Sequence, residues 1–425
     1  MIFRKILRNE YIYSLFTRAI TITLAFIQSI IIARYFGSAL KGSSAYIQSV
    51  TSIGAIIVTF GMHQVYPYFR KKYGKEQIYG DYLSVISILY LTYFLVGCIL
   101  AFFVIKPLEL KISAILIPIL GYSNVMSYVY LVETPNKRNR WWTIIGLINV
   151  IFISIMWKFT KANMTFVVVV LLFEDLLKCI VYTILVKPSI HLHKGLFRIA
   201  VDLFKIGFLP MIALLMTTLN YKIDILMLRS FDQITAAQIG IYSVGMTLAD
   251  KIALIPDTLK GVLVSRLTKG ADYHEVAKVS RLCFFATLLF CGLVLVMGNS
   301  FINFLYGAEY DGAFQVLLIC SFGTIFIGYF KLIAQYNIVN KKQIRNVVLL
   351  SMSVCVNVLL NYLLIPRYEL TGAAFASGVG YFLSGVIFIF WFALSHKIPI
   401  PEMFLVQKED FTVIKKIIGG KKNDR

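Results

Sequence analysis

Apolar stretches of 18 to 25 residues recur from one end of the sequence to the other, and that recurrence leaves the chain few folds to choose from. Each is as long as an α-helix must be to cross a hydrocarbon core of roughly 30 Å at about 1.5 Å per residue. A closed β-barrel would show segments of about ten residues with alternating polarity, and the sequence has none. Composition agrees. Of 425 residues, 59% are hydrophobic and 15% charged, and mean hydropathy is +0.77, which leaves too little polar surface to coat a water-soluble globule.

Hydropathy marks twelve spans, at about 11–34, 44–68, 82–105, 112–132, 141–157, 163–186, 206–228, 239–264, 282–306, 313–339, 345–365 and 372–395. Short Gly- and Pro-punctuated loops join them, among them FGSALKG, KPLELK, TPNKRNR, YGAEYDG and PRYELTG. Both termini and the even-numbered loops hold 28 of the 42 Lys and Arg residues, the odd-numbered loops hold 8, and six lie within spans. The positive-inside rule then predicts that both termini are cytoplasmic. It also accounts for the net charge of +21 without nucleic acid, because RKKYGK, KRNR and NKKQIR fall where anionic headgroups face the cytoplasm. The basic start MIFRKILRNE runs directly into the first span, which is expected to act as its own insertion signal.

The exit of span 1, ARYFGSALKGSSAYIQSV, echoes the exit of span 7, LRSFDQITAAQIGIYSVG: Arg34 matches Arg229, Phe36 matches Phe231, and Tyr46 matches Tyr242 after one inserted residue. Six spans separate the copies, and an even number preserves direction through the membrane. Two parallel repeats are therefore expected, with substrate between them. The expected organisation is an N-terminal lobe at 1–187, a basic cytoplasmic linker at 188–202, a C-terminal lobe at 203–397 and a tail at 398–425. The tail mixes Phe404, Phe411, Ile414, Ile417 and Ile418 with lysines, as an interfacial helix does.

Charges inside the spans are costly, about 2.5 to 3.5 kcal/mol for a Lys, Arg or Asp at a helix centre on insertion scales. The sixth span, VVVVLLFEDLLKCIVYTILV, carries three: Lys178 is four residues from Glu174 and three from Asp175, within reach of both on one helical face. Asp257 and Lys260 make a similar pair. Arg18, Lys222, Lys251 and Lys331 have no acidic partner at that spacing. Arg18, Thr21, Ala25 and Gln28 form one polar or small stripe and Thr324, Gly328, Lys331 and Gln335 another, each of which must face protein or trapped water in a bilayer. Two readings stay open. The cations lock helices together through acids on neighbouring spans, such as Asp224 or Asp250, or they line a hydrated vestibule that receives an anionic ligand.

The absent motifs narrow function. The sequence has no GxxxxGK[ST] loop, no GxSxG and no HExxH, and its five histidines are scattered. Nucleotide hydrolysis by this chain is therefore not expected to drive transport. All six cysteines fall in spans without CxxC or Cys/His spacing, so neither disulfide nor metal is implied. No catalytic residues are assigned, and the expectation is a carrier rather than an enzyme.

Several segments resemble the polysaccharide and oligosaccharide-lipid flippases: NYLLIPRYELTGAAFASGVGY, FLYGAEYDGAFQVLLI, DILMLRSF with IGIYSVGMTLADKI, and IIARYFGSALKG. They occur in family order and touch both halves. Glu369 and Leu370 stand where that family usually has a Gly before GAA. The resemblance is to the Wzx-like branch of the multidrug/oligosaccharidyl-lipid/polysaccharide exporter superfamily. It implies an all-α polytopic membrane protein with a MATE-like fold, about twelve transmembrane helices in two six-helix lobes related by pseudo-twofold symmetry. It also implies alternating access in a bacterial inner membrane, with cargo an undecaprenyl-pyrophosphate-linked oligosaccharide destined for O-antigen, lipopolysaccharide or another surface polysaccharide. A polysaccharide polymerase and a chain-length regulator are the implied partners.

On that reading Arg18, Lys222, Lys251 and Lys331 are expected to hold the anionic headgroup. Thr21, Gln28, Asn220, Gln335 and Asn337 are expected to meet the sugar, and Glu174, Asp175, Asp224 and Asp250 are candidates to exchange H⁺ or Na⁺ as coupling ion. No other cofactor is expected. Three alternatives stand beside it: a cation-coupled multidrug antiporter of the same superfamily, whose cavity should favour acids; a lipid II flippase, which usually adds two helices after the twelfth; and a membrane-embedded polysaccharide-assembly enzyme, for which the outside loops look too small.

Overall fold

A computed structural model describes residues 10–405 and Gln407, apart from Ser189, Leu192 and Lys194. The described residues are helical wherever they are regular, with no strand among them. In chain order the helices are α1 (Glu10–Thr59), α2 (Met62–Tyr73), α3 (Lys75–Ile99, followed by a π-helical turn, Leu100–Val104), α4 (Leu108–Glu133), α5 (Pro135–Phe159), α6 (Met164–Val186) and α7 (Leu196–Arg229). There follow α8 (Ala236–Ile252), α9 (Leu254–Leu267), α10 (Tyr273–Tyr306), a 3₁₀ turn (Ala308–Tyr310), α11 (Ala313–Val339), α12 (Gln343–His396) and α13 (Ile400–Phe404). Nine helical stretches among the described residues are long and apolar enough to cross a membrane. Two of these hold two spans each, and α6 joins the set once its three charges are accounted for, so the twelve expected spans are all helical.

The helices run beyond the spans that hydropathy marks. The loop expected between the first two spans shrinks to one residue, Gly37, at φ 71° and ψ 171°, a left-handed geometry that favours glycine, and the helix resumes at once. The linker shrinks as well. Helix α7 begins at Leu196, so the last seven residues of the expected 188–202 segment are helical. Helix α12 breaks at Glu369, at φ 49°, the stretch in which the resembling family carries glycine. The expected interfacial helix of the tail falls almost wholly on residues outside the described ones.

Contacts divide the chain into two compact units. The first holds residues 1–243 together with 303–310, and the second 244–302 with 311–425. In the first, Tyr66, Phe69, Tyr82, Met126, Val129 and Tyr182 form one buried core, and Ile32, Ile47, Leu116, Ile153 and Val167 another. In the second, α11 and α12 approach so closely that a Cβ on Gly323 would lie 1.9 Å from the Gly378 carbonyl oxygen. Small residues at such crossings are how helices associate in lipid, where burying apolar surface gains nothing over facing acyl chains. The outward faces carry large apolar side chains. Phe103 and Val296 are each 85% exposed, which suits hydrocarbon and not water.

Candidate functional site

Helix α6 answers for its three charges by drawing in two other helices of the first unit. Its start is capped by the Asn163 side chain, which accepts from the Phe166 amide at 3.0 Å. One turn-spacing places the Lys178 ammonium 2.6 Å from Glu174 Oε1 and 3.8 Å from Asp175 Oδ1. The other Glu174 oxygen accepts from Gln28 on α1 at 2.9 Å and from Asn149 on α5 at 2.6 Å. Glu174 is thus saturated, with charge-assisted bonds worth about 1.5–3 kcal/mol each. Asp175 is the looser acid. Sequence reasoning placed Gln28 among sugar ligands, but its amide is engaged by Glu174. Asn149, fully buried, was missed, although an asparagine in the run LINVIF is a signal of its own.

Beside this network lies a cavity of about 240 Å³. Its polar wall includes Gln28, Gln48, Thr51, Ser52, Glu174 and Asp175. The Thr51 hydroxyl is buried there without a hydrogen-bond partner among the described residues.

A second cavity of the same unit, about 250 Å³, is lined by Thr59, His63, Asn124, Ser127, Tyr128, Arg138 and Trp142 among others, and no carboxylate lines it. Arg138 owes its place to the start of α5. Pro135 occupies the first helical position, where a missing N–H costs nothing, and so Arg138 and Trp142 fall one turn apart on one face. The guanidinium donates from Nε to Ser127 Oγ at 3.2 Å and lies 4.1 Å from the centroid of the Trp142 ring. No carboxylate lies within ion-pair distance of it among the described residues, so it remains a desolvated cation held by a ring, a hydroxyl and, at 3.4 Å, the Asn139 amide oxygen. Lys178 lies 4.8 Å from the same ring, so Trp142 is a wall shared by the cations of both networks. His63 adds a buried Nδ1 without a hydrogen-bond partner among the described residues. In the sequence Arg138 is one more positive charge of the expected cytoplasmic loop KRNR, and only the Arg-x-x-x-Trp spacing marks it.

The remaining expected residues are scattered. Within the first unit, Thr21 bonds Thr143 on α5 at 2.9 Å and the Thr17 carbonyl oxygen at 2.9 Å, cross-linking two helices. The side chain of Arg18 lies outside the described residues. Asn220 is fully buried with neither amide atom partnered among the described residues, and Asp224 is fully buried and engaged. Lys222 is half-buried and feels the repulsion of Lys41, itself only 9% exposed. Neither lysine makes a hydrogen bond or ion pair with a described residue. Lys41 falls in the expected loop FGSALKG, and it is buried because α1 resumes immediately after Gly37.

In the second unit, Lys331 on α11 reaches Asp257 on α9 at 2.7 Å, while Lys260 stands 3.9 Å from the same carboxylate. Of the two readings open for Lys331, the geometry displays the helix lock, and an anion would have to displace Asp257. Gln335 donates to the Lys331 carbonyl oxygen at 3.4 Å, and Asn337 donates to Asn346 at 2.7 Å within a buried pair. Asp250 is exposed and Lys251, its neighbour in sequence and in charge, is half-buried.

No protein-family model matches the sequence, and no curated protein matches it. Solved structures do. A structure described as lipid II flippase MurJ in an inward closed conformation superposes with a TM-score of 0.69 at 16% identity, over 97% of this chain and 93% of that one. The chain shares that structure's fold. An outward-facing multidrug resistance MATE family transporter of the MOP superfamily matches with a TM-score of 0.60 at 13% identity, covering 94% of this chain and 98% of its own. An inward-facing one gives 0.58 at 12%, covering 92% and 98%. The likeness is one of fold. It makes the chain a multi-pass membrane protein whose structural neighbours are transporters.

Proposed function

We propose that this chain is a flippase. It moves an undecaprenyl-pyrophosphate-linked oligosaccharide from the cytoplasmic to the outer leaflet of a bacterial inner membrane by alternating access, with both termini cytoplasmic, in the synthesis of O-antigen or another surface polysaccharide. The observation that carries the reading is Arg138, a cation with no carboxylate in ion-pair distance among the described residues, stacked on Trp142 at the edge of a cavity with no acid in its lining. A pyrophosphate entering such a site meets a desolvated guanidinium, a tyrosine hydroxyl and an amide, and its charge is what the site lacks. An organic cation would meet repulsion there. The neighbour described as a lipid II flippase supports a lipid-linked cargo.

Lys222 with Lys41, Lys251 and Arg18 are further proposed headgroup contacts. Gln28, Thr21, Asn220, Gln335 and Asn337 are proposed to meet sugar only where the cycle frees them from their present partners. Asp175, the acid that Lys178 holds less tightly, is the proposed proton or sodium acceptor, ahead of Glu174, Asp224 and Asp250. Two functional halves joined at the linker, no enzymatic step, and a polymerase and chain-length regulator as partners complete the proposal.

The test is translocation in proteoliposomes. Labelled polyprenyl-pyrophosphate oligosaccharide should reach the opposite leaflet unchanged. Preferential movement of lipid II would change the cargo, export of cationic dyes would favour the antiporter, and a newly formed glycosidic bond would make the protein an enzyme.

A further inference from the structure

The two arginines that the internal echo pairs, Arg34 and Arg229, end up doing related work. Both stand at the end of a span that the Lys/Arg asymmetry assigns to the outside, and both fasten that end to the end of another span, Arg34 to the last turn of α10 and Arg229 to the first turn of α4. Arg34, just before the break at Gly37, donates from Nε to the Leu305 carbonyl oxygen at 2.8 Å and from Nη2 to that of Phe304. The segment returns the grip. Glu309 Oε2 accepts from the Ser38 amide at 2.8 Å, the Tyr310 hydroxyl donates to the Ala33 carbonyl oxygen at 2.8 Å, and the Ser29 and Tyr306 hydroxyls are 3.1 Å apart. Glu309 therefore caps the helix that restarts after Gly37, from a segment some 270 residues away in sequence.

Arg229, six spans later, grips the segment six spans before Glu309. Its Nε and Nη2 donate to Glu109 Oε2 at 3.1 and 3.0 Å, in the first turn of α4. The chemistry is not identical, because one arginine takes carbonyls and the other a carboxylate. Placement is what they share. Between the clasps, the restarted α1 crosses the beginning of α8 through two glycines: a Cβ on Gly42 would lie 1.8 Å from the Ala236 carbonyl oxygen, and one on Gly240 2.0 Å from that of Ser38. Such contact leaves no room for independent drift. All of these residues belong to the first compact unit, which takes 303–310 in with residues from far earlier in the chain.

We infer that the Arg34 and Arg229 clasps, coupled through the Gly42–Gly240 crossing, are the outer gate of the carrier, and that they open together. The inference rests on the alternating-access reading, which requires a closure at the outer end that can be released. A carrier of this kind needs the gate strong enough to hold and weak enough to yield, and a few exposed charge-assisted bonds over a glycine crossing meet both needs.

Hydrogen exchange of the full chain in lipid nanodiscs, for wild type, Arg34→Ala and Arg229→Ala, tests this. Loss of one clasp should speed exchange about tenfold at both 303–310 and 105–111, while the interiors of α5 and α6 stay as protected as in wild type. Acceleration confined to the substituted clasp, or none at all, overturns the gate. Should either alanine variant lose protection throughout, Glu309→Gln, which keeps the size of the side chain, is read by the same two-segment comparison. The outcome is independent of cargo. A chain that translocates while its clasps open separately keeps the function and loses the gate, and joint opening without translocation does the reverse.

Discussion

The Glu174 network and the Arg138 cavity are neighbours of similar volume that share Trp142, and they treat buried charge in opposite ways. Glu174 has a lysine and two amides for its two oxygens. Arg138 has a ring, a serine hydroxyl and, at 3.4 Å, an asparagine oxygen for a full positive charge. A charge whose partners are complete is a lock, since nothing is gained by admitting a ligand. One whose partners are neutral and few is suited to receive a ligand, since an anion improves on what it has. Lys331 with Asp257 belongs with the locks. Partner count, more than burial, separates the two kinds.

Removing the lysine of the lock should cost most. Lys178→Met leaves Glu174 and Asp175 together without their cation, and the loss of stability should be about 3–5 kcal/mol, read by thermal unfolding in detergent. Glu174→Gln added to it should recover part of that loss, and full stability of the single variant would mean that the network is not a lock. Arg138→Ala should separate the two regions from the other side. Affinity for a lipid-linked pyrophosphate should fall by about 2 kcal/mol, some thirtyfold, with unfolding shifted far less than in Lys178→Met. Arg138→Lys should recover only part, because a lysine keeps the charge and loses the planar fork.

A double-mutant cycle on Lys331→Ala and Asp257→Asn should give a coupling energy of about 1 kcal/mol, and a value near zero would return Lys331 to the receptors. The smallest effect expected is a gain. Glu369→Gly should stabilise the chain by about 0.5–1 kcal/mol by relieving a left-handed backbone at a position where the side chain is exposed.

Much of the fold was legible and rather less of the site. Hydropathy placed the eleventh helix of the structure at Ala313–Val339, the bounds read from sequence, because polar turns close it on both sides. It misjudged α7, which starts ten residues before the apolar run, because hydropathy marks the hydrocarbon slab while a helix continues into the headgroups. The same limit hid Arg138 and Lys41. Each lies past the edge of an apolar run, where a cation is ordinarily hydrated, and each is withdrawn from water by a helix continuing where a loop was expected. The Glu174–Lys178 pair was legible because both partners lie on one helix. Asp257 for Lys331 and Asn149 for Glu174 come from other helices, and spacing along a single helix carries no record of them.

The most direct test of the central claim is leaflet exchange of a labelled polyprenyl-pyrophosphate oligosaccharide in proteoliposomes, for wild type and Arg138→Ala brought to equal folded amounts. Transfer by wild type, with a loss of at least tenfold in the variant, is the expected result. Transfer at the wild-type rate by Arg138→Ala would contradict the account, because the cation taken as the receptor would then have no part in receiving the cargo.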